Sequence, residues 1–190
     1  MFGQLSAVAH LVSNRPQLQG SAPSQDSASA QALVETLRQR KLQLVIAESL
    51  TGGALSSAIV SAPGASKVLL GCIVAYDSRL KHNLLGVRQS SLDEFGAASQ
   101  QVAREMAHGA RNLAAEASAS SSGSIVAVAT TGVAGPEIQD GVPVGTVYVA
   151  IDGPKTFSEV LEFNFEGDRQ SIREQTVQAT LKALGNLLHE

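Results

Sequence analysis

Short, continuous apolar runs are the feature of this chain that most constrains its fold. Three of them precede polar or glycine residues: "LQLVIAES" (42–49), "VLLGCIVAYD" (68–77) and "IVAVATTG" (125–132). An apolar run without alternation does not suit a strand that has one face in water, so all three are predicted to be strands buried on both faces. Helices must then cover both faces of the sheet.

The segments between these runs have helical periodicity. Predicted helices span 30–40, 51–61, 78–87, 90–117 and 168–190, and the fourth is either one helix or two that are hinged near Gly96. Their apolar positions lie at helical spacing, as in the last helix: Ile172, Val177, Leu181, Leu184 and Leu188. Residues 145–152 and 156–165 alternate in polarity around the turn "DGPK", which is typical of an antiparallel hairpin. The predicted fold class is α/β, a three-layer α/β/α sandwich with a mixed, mostly parallel sheet and an antiparallel edge hairpin.

One domain is expected, because 190 residues can bury one substantial core but are too few for two ordinary domains. The domain is predicted to span residues 31–190. Residues 1–30 are rich in Ser, Ala and Gln and are predicted to form a flexible tail. A mitochondrial transit peptide is the competing interpretation, but such peptides are usually rich in arginine and Arg15 is the only basic residue of this segment.

Charge and composition disfavour several classes of partner. The 14 basic and 17 acidic residues are scattered along the chain, so neither a nucleic-acid partner nor a membrane partner is expected. The single cysteine, Cys72, lies inside an apolar run and is predicted to be a buried hydrophobic residue in a reduced compartment, consistent with a cytoplasmic location. The four histidines have no metal-site spacing, so neither a metal nor a cofactor is predicted.

Functional sites of open α/β sheets gather at the carboxyl ends of the strands. At the first strand end, Ser49 and Thr51 precede Gly52 and Gly53 at the start of a predicted helix. Serine and threonine are preferred N-caps, so capping alone explains these hydroxyls. The same geometry also offers unpaired N–H groups beside an exposed hydroxyl, so one hydroxyl could cap the helix while the other acts as a nucleophile.

A serine nucleophile needs a base, and the dispersed histidines offer none. Lys81 follows the second strand end closely, on a helix whose apolar face is predicted to carry Leu80, Leu84 and Val87. At the margin of that face its pKa could fall from about 10.4 toward 7 or 8, although an ordinary lysine with a buried stem and an exposed ammonium is the commoner explanation of such a pattern. Tyr76 could orient the lysine or the leaving group, or could simply be half-buried packing.

The third strand end carries the glycine loop "ATTGVAGP" (129–136). Backbone N–H groups of such a loop can form an anion-binding nest, which makes a phosphate or carboxylate site plausible. The loop matches neither a P-loop nor a dinucleotide-binding fingerprint. By itself it is a weak signal.

Five motifs together carry a more specific signal. These are "AESLTGG", "AYDSRLKHNLLGV", "TTGVAGP", "PVGTVYVAI" and "FEGDRQSIREQTVQATLKAL". In order and spacing they closely resemble the C-terminal domain of the CinA (competence/damage-inducible protein) family, including its stand-alone nicotinamide-nucleotide amidases of the PncC type. The resemblance covers about residues 31–188.

The resemblance implies hydrolysis of the carboxamide of nicotinamide mononucleotide to nicotinate mononucleotide and ammonia, without a metal. It implies Ser49 as the nucleophile, Lys81 as the general base and Tyr76 as its orienting partner. It also implies a homodimer. Nine further residues are implied to contact or shape the substrate site: Thr51, Gly52, Gly53, Thr131, Gly132, Ala134, Gly135, Arg169 and Arg173. The two arginines are placed either to meet the substrate phosphate or to lie on a solvated face.

The chain departs from the family pattern in one loop. The family usually has further glycines and a lysine before "PVGT", whereas this chain has "EIQDGV" at 137–142, and Ser78 stands where asparagine is frequent. The proposed catalytic pair is intact, but substrate preference is open. The alternatives are therefore a non-catalytic nucleotide-binding or interaction module, and an amidase for a different small amide.

Overall fold

The computed structural model describes residues 25–118, 122–154 and 158–189. The helices are α1 (Gln25–Gln39), α2 (Ala54–Val60), α3 (Ser78–Leu85), α4 (Gln89–Phe95), α5 (Gln100–Ser118) and α6 (Arg169–His189). The strands are β1 (Gln43–Glu48), β2 (Leu69–Val74), β3 (Ile125–Gly132), β4 (Thr146–Asp152) and β5 (Ser158–Asn164). Short 3-10 turns lie at Ala65–Lys67 and Ser122–Ser124.

The five strands form one mixed sheet in the order β2-β1-β3-β4-β5. β1 pairs in parallel with β2 and with β3, whereas β4 is antiparallel to both β3 and β5. Only β4 therefore runs against the other four strands. This confirms the predicted mixed sheet with an antiparallel hairpin at its edge.

Two apolar cores lie on opposite faces of this sheet, which makes the three predicted layers. Successive residues of β1 point to different cores: Leu44 and Ile46 pack with α1, α2 and α6, whereas Val45 and Ala47 pack with α3 and α5. The continuous apolar runs of β1 and β3 follow from burial on both faces. The five apolar residues predicted for the last helix are all buried on α6.

Several helix boundaries differ from the prediction. The first helix begins at Gln25 and buries Ala30, so residues 25–30 belong to α1 and not to the predicted tail. Residues 1–24 of that predicted tail, the middle of the linker that follows α5 and part of the "DGPK" turn lie outside the described residues. The long segment after Arg88 forms two helices, α4 and α5, which meet around Gly96 as one of the two alternatives predicted.

The expectation of a buried β2 is wrong. Cys72 and Val74 are exposed, because β2 is the edge strand and the helices that cover the central strands leave part of it in contact with solvent. Cys72 is therefore an exposed thiol and not a core residue.

In the part of the chain that the structure describes, no helix combines the length and apolarity that a membrane span requires.

Candidate active site

The carboxyl ends of β1, β2 and β3 meet at one edge of the sheet, because the three strands are parallel and in register. Glu48, the last residue of β1, pairs with Val74 on one side and with Thr130 on the other. The Ser49 amide continues this pairing by donating to the Thr130 carbonyl at 2.9 Å. The residues that follow the three strands are therefore neighbours in space, although they are far apart in sequence.

Lys81 and Ser49 form a buried pair at this edge. Lys81 Nζ lies 2.7 Å from Ser49 Oγ and donates a second hydrogen bond to the Ala75 carbonyl at 2.8 Å. Lys81 is only 1% exposed and Ser49 is 8% exposed. The pair has the composition and distance of a serine nucleophile with its general base.

The orientation of α3 brings Lys81 inward and differs from the prediction. Leu80 and Leu84 are 39% and 50% exposed, whereas Lys81 and Leu85 face the core. Asp77 fixes the start of α3 by accepting from the Arg79 amide. The buried face of α3 therefore includes a lysine, whereas Leu80 and Leu84 of the expected apolar face contact solvent.

Burial controls the protonation of this lysine. It lowers the pKa of Lys81 from 10.5 to about 8, and the Asp77 carboxylate partly opposes this by favouring the charged ammonium. Removing an ammonium from water disfavours the charged form, so about a tenth of Lys81 is already neutral at pH 7. A neutral amine can donate to Ala75 and accept the Ser49 hydroxyl proton with its lone pair.

Close packing of α5 against α3 sets the position of Lys81. A Cβ placed on Gly109 of α5 would lie 1.7 Å from the carbonyl oxygen of Leu85, the last residue of α3. Gly109→Ala is therefore expected to push α3 outward and to lower the free energy of unfolding by about 1–3 kcal/mol, measured by urea denaturation. Activity should fall with it, because α3 carries Lys81.

Gly185 of α6 is the matched control, since a Cβ there meets no atom within 4 Å. Gly185→Ala should stabilise the protein by about 0.5–1 kcal/mol through the higher helix propensity of alanine. If Gly109→Ala were as stable as the wild type, α3 would not depend on this contact.

Glu48 caps the start of α2, a role that no local sequence pattern indicates. Its carboxylate is fully buried and accepts from the amides of Gly53, Leu55 and Ser56, and from the Ser56 hydroxyl. The expectation that Ser49 or Thr51 caps this helix is wrong. The N-cap position is Gly53, and the free amides at the start of α2 donate to the Glu48 carboxylate. A carboxylate at the start of α2 also suits the positive end of the helix dipole.

Residues 51–53 and Arg173 support the loop that carries Ser49 from the side away from the cleft. The Thr51 hydroxyl bonds to the Thr130 hydroxyl at 2.8 Å, and Gly52 and Gly53 form a turn with positive φ angles of 59° and 96°. Arg173 donates from Nε to the Leu50 carbonyl at 3.1 Å and from Nη2 to the Thr51 carbonyl at 2.8 Å. In the part of the chain that the structure describes, the residues that line the cleft beside Ser49 do not include Thr51, Gly52, Gly53 or Arg173, all of which were predicted to contact or shape the substrate site.

The glycine loop after β3 forms one wall of that cleft. Thr131 donates its hydroxyl to the Ala97 carbonyl at 2.7 Å, which joins the loop to the segment before α5. Gly132 packs so tightly on β4 that a Cβ would lie 2.6 Å from the Thr146 carbonyl oxygen. Thr131, Gly132, Ala134 and Gly135 all line the cleft.

Tyr76 and Arg169 lie at the mouth of the cleft. Arg169 donates to the Tyr76 hydroxyl at 2.7 Å and to the Gly135 carbonyl at 2.8 Å. Tyr76 is 58% exposed, and its hydroxyl partner is Arg169. The Ala75 carbonyl, and not Tyr76, makes the second hydrogen bond of Lys81.

The cleft joins the three strand ends to the start of α6. Its lining residues are Ser49, Leu50, Tyr76, Lys81, Ala97, Ala98, Thr131, Gly132, Val133, Ala134, Gly135, Glu137, Gln139 and Arg169. Ala97 and Ala98 lie in the connection between α4 and α5, where no local sequence pattern indicates a site. The described residues contain no group of three His, Cys, Asp or Glu side chains that could hold a metal ion.

Comparison with known proteins identifies the relatives of this chain. The model of the CinA C-terminal domain matches residues 26–188. A CinA-like protein of Thermotoga neapolitana is 39% identical over 166 residues, which cover 87% of this chain and 38% of that relative. The chain thus spans about two fifths of the length of such relatives.

Solved structures match nearly over their whole length. A competence or damage-inducible protein from Enterobacter asburiae is 31% identical with a TM-score of 0.79, and the match covers 87% of this chain and 99% of that one. A CinA superfamily protein from Escherichia coli is 32% identical with a TM-score of 0.77, with coverage of 90% and 94%. Sequence and fold agree: this chain belongs to the CinA C-terminal domain family.

Proposed function

We propose that the protein is an amidohydrolase that converts nicotinamide mononucleotide to nicotinate mononucleotide and ammonia. The observation that carries this proposal is the buried pair in which Lys81 Nζ lies 2.7 Å from Ser49 Oγ. A lysine with a pKa of about 8 can remove the proton of a serine hydroxyl near neutral pH. The family resemblance supplies the substrate, and a homodimer belongs to the same proposal.

In the proposed mechanism Ser49 attacks the carboxamide carbon while neutral Lys81 accepts the hydroxyl proton. The tetrahedral intermediate then collapses as Lys81 returns this proton to the nitrogen, and ammonia leaves. A water molecule attacks the resulting ester, with Lys81 again accepting a proton. Release of nicotinate mononucleotide restores the Ser49 hydroxyl, so that one water is consumed for each ammonia formed.

The developing oxyanion needs hydrogen-bond donors beside Ser49. Within the described residues, the amides of Leu50 and Ala134 donate no hydrogen bond, and both residues line the cleft. Amides that are fixed in place and free to donate are the usual means of stabilising such a charge. We assign the oxyanion site to these two loops.

The remaining polar groups of the cleft suit the rest of the substrate. Arg169 supplies a cation for the phosphate at the mouth, and the glycine loop supplies backbone groups close to it. The Tyr76 hydroxyl, which accepts from Arg169, belongs to this binding role more than to the orientation of Lys81. Glu137 adds a carboxylate that can face the cationic pyridinium ring.

The activity is expected to rise with pH, because the neutral form of Lys81 is the base. With a pKa of about 8, about a tenth of the lysine is neutral at pH 7, so kcat/KM should increase about tenfold per pH unit below pH 7, rise less steeply near pH 8 and level off above it. Rates of ammonia release between pH 6 and 10, at a temperature where the protein stays folded, check this. A profile that is flat across this range would exclude Lys81 as the base.

A second candidate function has one observation in its favour. Glu137 and Gln139 line the cleft in the loop where the family usually carries glycines and a lysine. A changed lining favours either another small amide as substrate or a nucleotide-binding module without turnover. A panel of amides, assayed for ammonia release beside direct binding measurements, separates the three possibilities.

A further inference from the structure

We propose that Arg173 is a positioning residue that holds the nucleophile loop, residues 49–53, and is not a ligand of the substrate phosphate. The proposal rests on the proposed function, because it assigns a role within the same site. It separates two arginines that stand four residues apart at the start of α6 and that sequence alone treats as equivalent.

Among the described residues, the side-chain hydrogen bonds of Arg173 go to the backbone that follows Ser49. Its guanidinium donates to two successive carbonyls, Leu50 O at 3.1 Å and Thr51 O at 2.8 Å. These are the first carbonyls after the nucleophile. No ion pair with a carboxylate is found for Arg173 among the described residues, so its directed donors serve this loop.

Arg169 and Arg173 face different spaces. Arg169 lines the cleft beside Ser49, whereas Arg173 lies with Ala54 and Ala58 of α2 in a separate surface depression behind the loop. A phosphate at the mouth of the cleft would meet Arg169 directly. Arg173 would have to abandon both carbonyls to reach it.

The loop needs such a clamp because its own backbone is permissive. Gly52 and Gly53 have positive φ angles and contribute no side chain that could fix the turn. Glu48 holds the Gly53 amide from the side of α2, and Arg173 holds the Leu50 and Thr51 carbonyls from the side of α6. Ser49 directly precedes the two clamped carbonyls, so a shift of this loop moves its hydroxyl relative to Lys81, and a displacement of about 1 Å costs on the order of a hundredfold in such sites.

The test compares Arg173→Met with Arg169→Met on two substrates, nicotinamide mononucleotide and nicotinamide riboside, which lacks the phosphate. For Arg173→Met we expect kcat to fall about 10- to 100-fold on both substrates, with KM within about twofold of the wild type. Arg169→Met should instead raise KM for the mononucleotide and leave the riboside nearly unaffected. Arg173→Lys, which keeps the charge but only one directed contact, should fall between the wild type and Arg173→Met.

Two results would overturn the proposal. One is a rise in KM for the mononucleotide alone in Arg173→Met, which would mark Arg173 as a phosphate ligand. The other is unchanged kinetics on both substrates. If Arg173→Met does not fold, Arg173→Lys is assayed in its place, and the same two results decide.

A second readout separates this proposal from the proposed function. Phenylmethylsulfonyl fluoride sulfonylates activated serines, and intact-mass spectrometry follows the labelling of Ser49 without any nucleotide. If the wild type labels rapidly but fails to hydrolyse the mononucleotide, the substrate assignment is wrong, yet slower labelling of Arg173→Lys and Arg173→Met still supports the positioning role. Labelling at the wild-type rate in both variants would refute it.

Discussion

Lys81→Met is expected to be inactive and, near neutral pH, more stable than the wild type. Activity should fall by about a thousandfold or more, because the variant has no base for Ser49. Stability should rise because a pKa of about 8 in the folded state, against 10.5 for an exposed lysine, corresponds to about 3 kcal/mol that opposes folding at low pH. Loss of the hydrogen bond to the Ala75 carbonyl offsets part of this, which leaves a net gain of about 1–3 kcal/mol.

The pH dependence of this gain has a definite sign. Between pH 8 and 10.5 the unfolded wild type binds more protons at Lys81 than the folded form, so the stability of the wild type rises with pH in this window. Lys81→Met lacks this group, and its advantage should therefore be largest below pH 8 and nearly gone at pH 10.5. Urea unfolding at pH 7 and at pH 10 measures the difference.

Lys182→Met provides the control, because Lys182 is exposed on α6. That variant should change the free energy of unfolding by less than about 0.5 kcal/mol at either pH. A Lys81→Met protein that is destabilised by the same amount at both pH values would show that burial does not disfavour the charged form of this lysine.

Ser49→Ala should lower kcat by about three to six orders of magnitude while the substrate still binds. Only the hydroxyl is removed, so the fold and the cleft should be preserved. The double variant Ser49→Ala/Lys81→Met should lose no more activity than either single variant, because the two groups act in one step. Ammonia release and isothermal titration with nicotinamide mononucleotide measure the two quantities.

Ser57→Ala is the matched control, since Ser57 is an exposed serine on α2 outside the cleft. It should keep the activity of the wild type. Additive losses in the Ser49/Lys81 double variant, or more than a tenth of the wild-type activity in Ser49→Ala, would contradict the assigned pair.

The α/β fold class, and the position of the carboxyl ends of β1, β2 and β3 beside one another, could be predicted from the sequence. The apolar runs of β1 and β3 required burial on both faces, and parallel strands bring their carboxyl ends to one edge. That geometry brings Ser49 and Lys81, 32 residues apart, to hydrogen-bond distance. Their selection from among other serines and lysines depended on the five motifs of the family.

Where the prediction failed, the deciding interaction was tertiary. Helical periodicity favoured a buried face with Leu80 and Leu84, but the fold buries Lys81 instead. The free-energy cost of burying the lysine is met by tertiary contacts, which a local sequence pattern does not show. Cys72 had the apolar neighbours of a buried strand, and only the strand order shows that β2 is an edge. Burial depends on what covers a segment, and the segment itself does not specify this.

The roles of Glu48 and Arg173 were hidden for the same reason. Glu48 ends an apolar run and gives no sign that its carboxylate will cap α2. Arg173 contacts carbonyls more than 120 residues earlier in the chain, and its spacing from Arg169 suggested a shared phosphate role. Polar groups of this kind bind backbone atoms, and backbone partners leave no trace in the sequence.

The decisive measurement of the proposed activity is the release of ammonia from nicotinamide mononucleotide by the purified wild-type protein at about pH 8.5, where most of Lys81 is neutral. We expect ammonia and nicotinate mononucleotide in equal amounts, with many turnovers per protein and no added metal. Tight binding of the mononucleotide without turnover at any pH between 6 and 10 would contradict it.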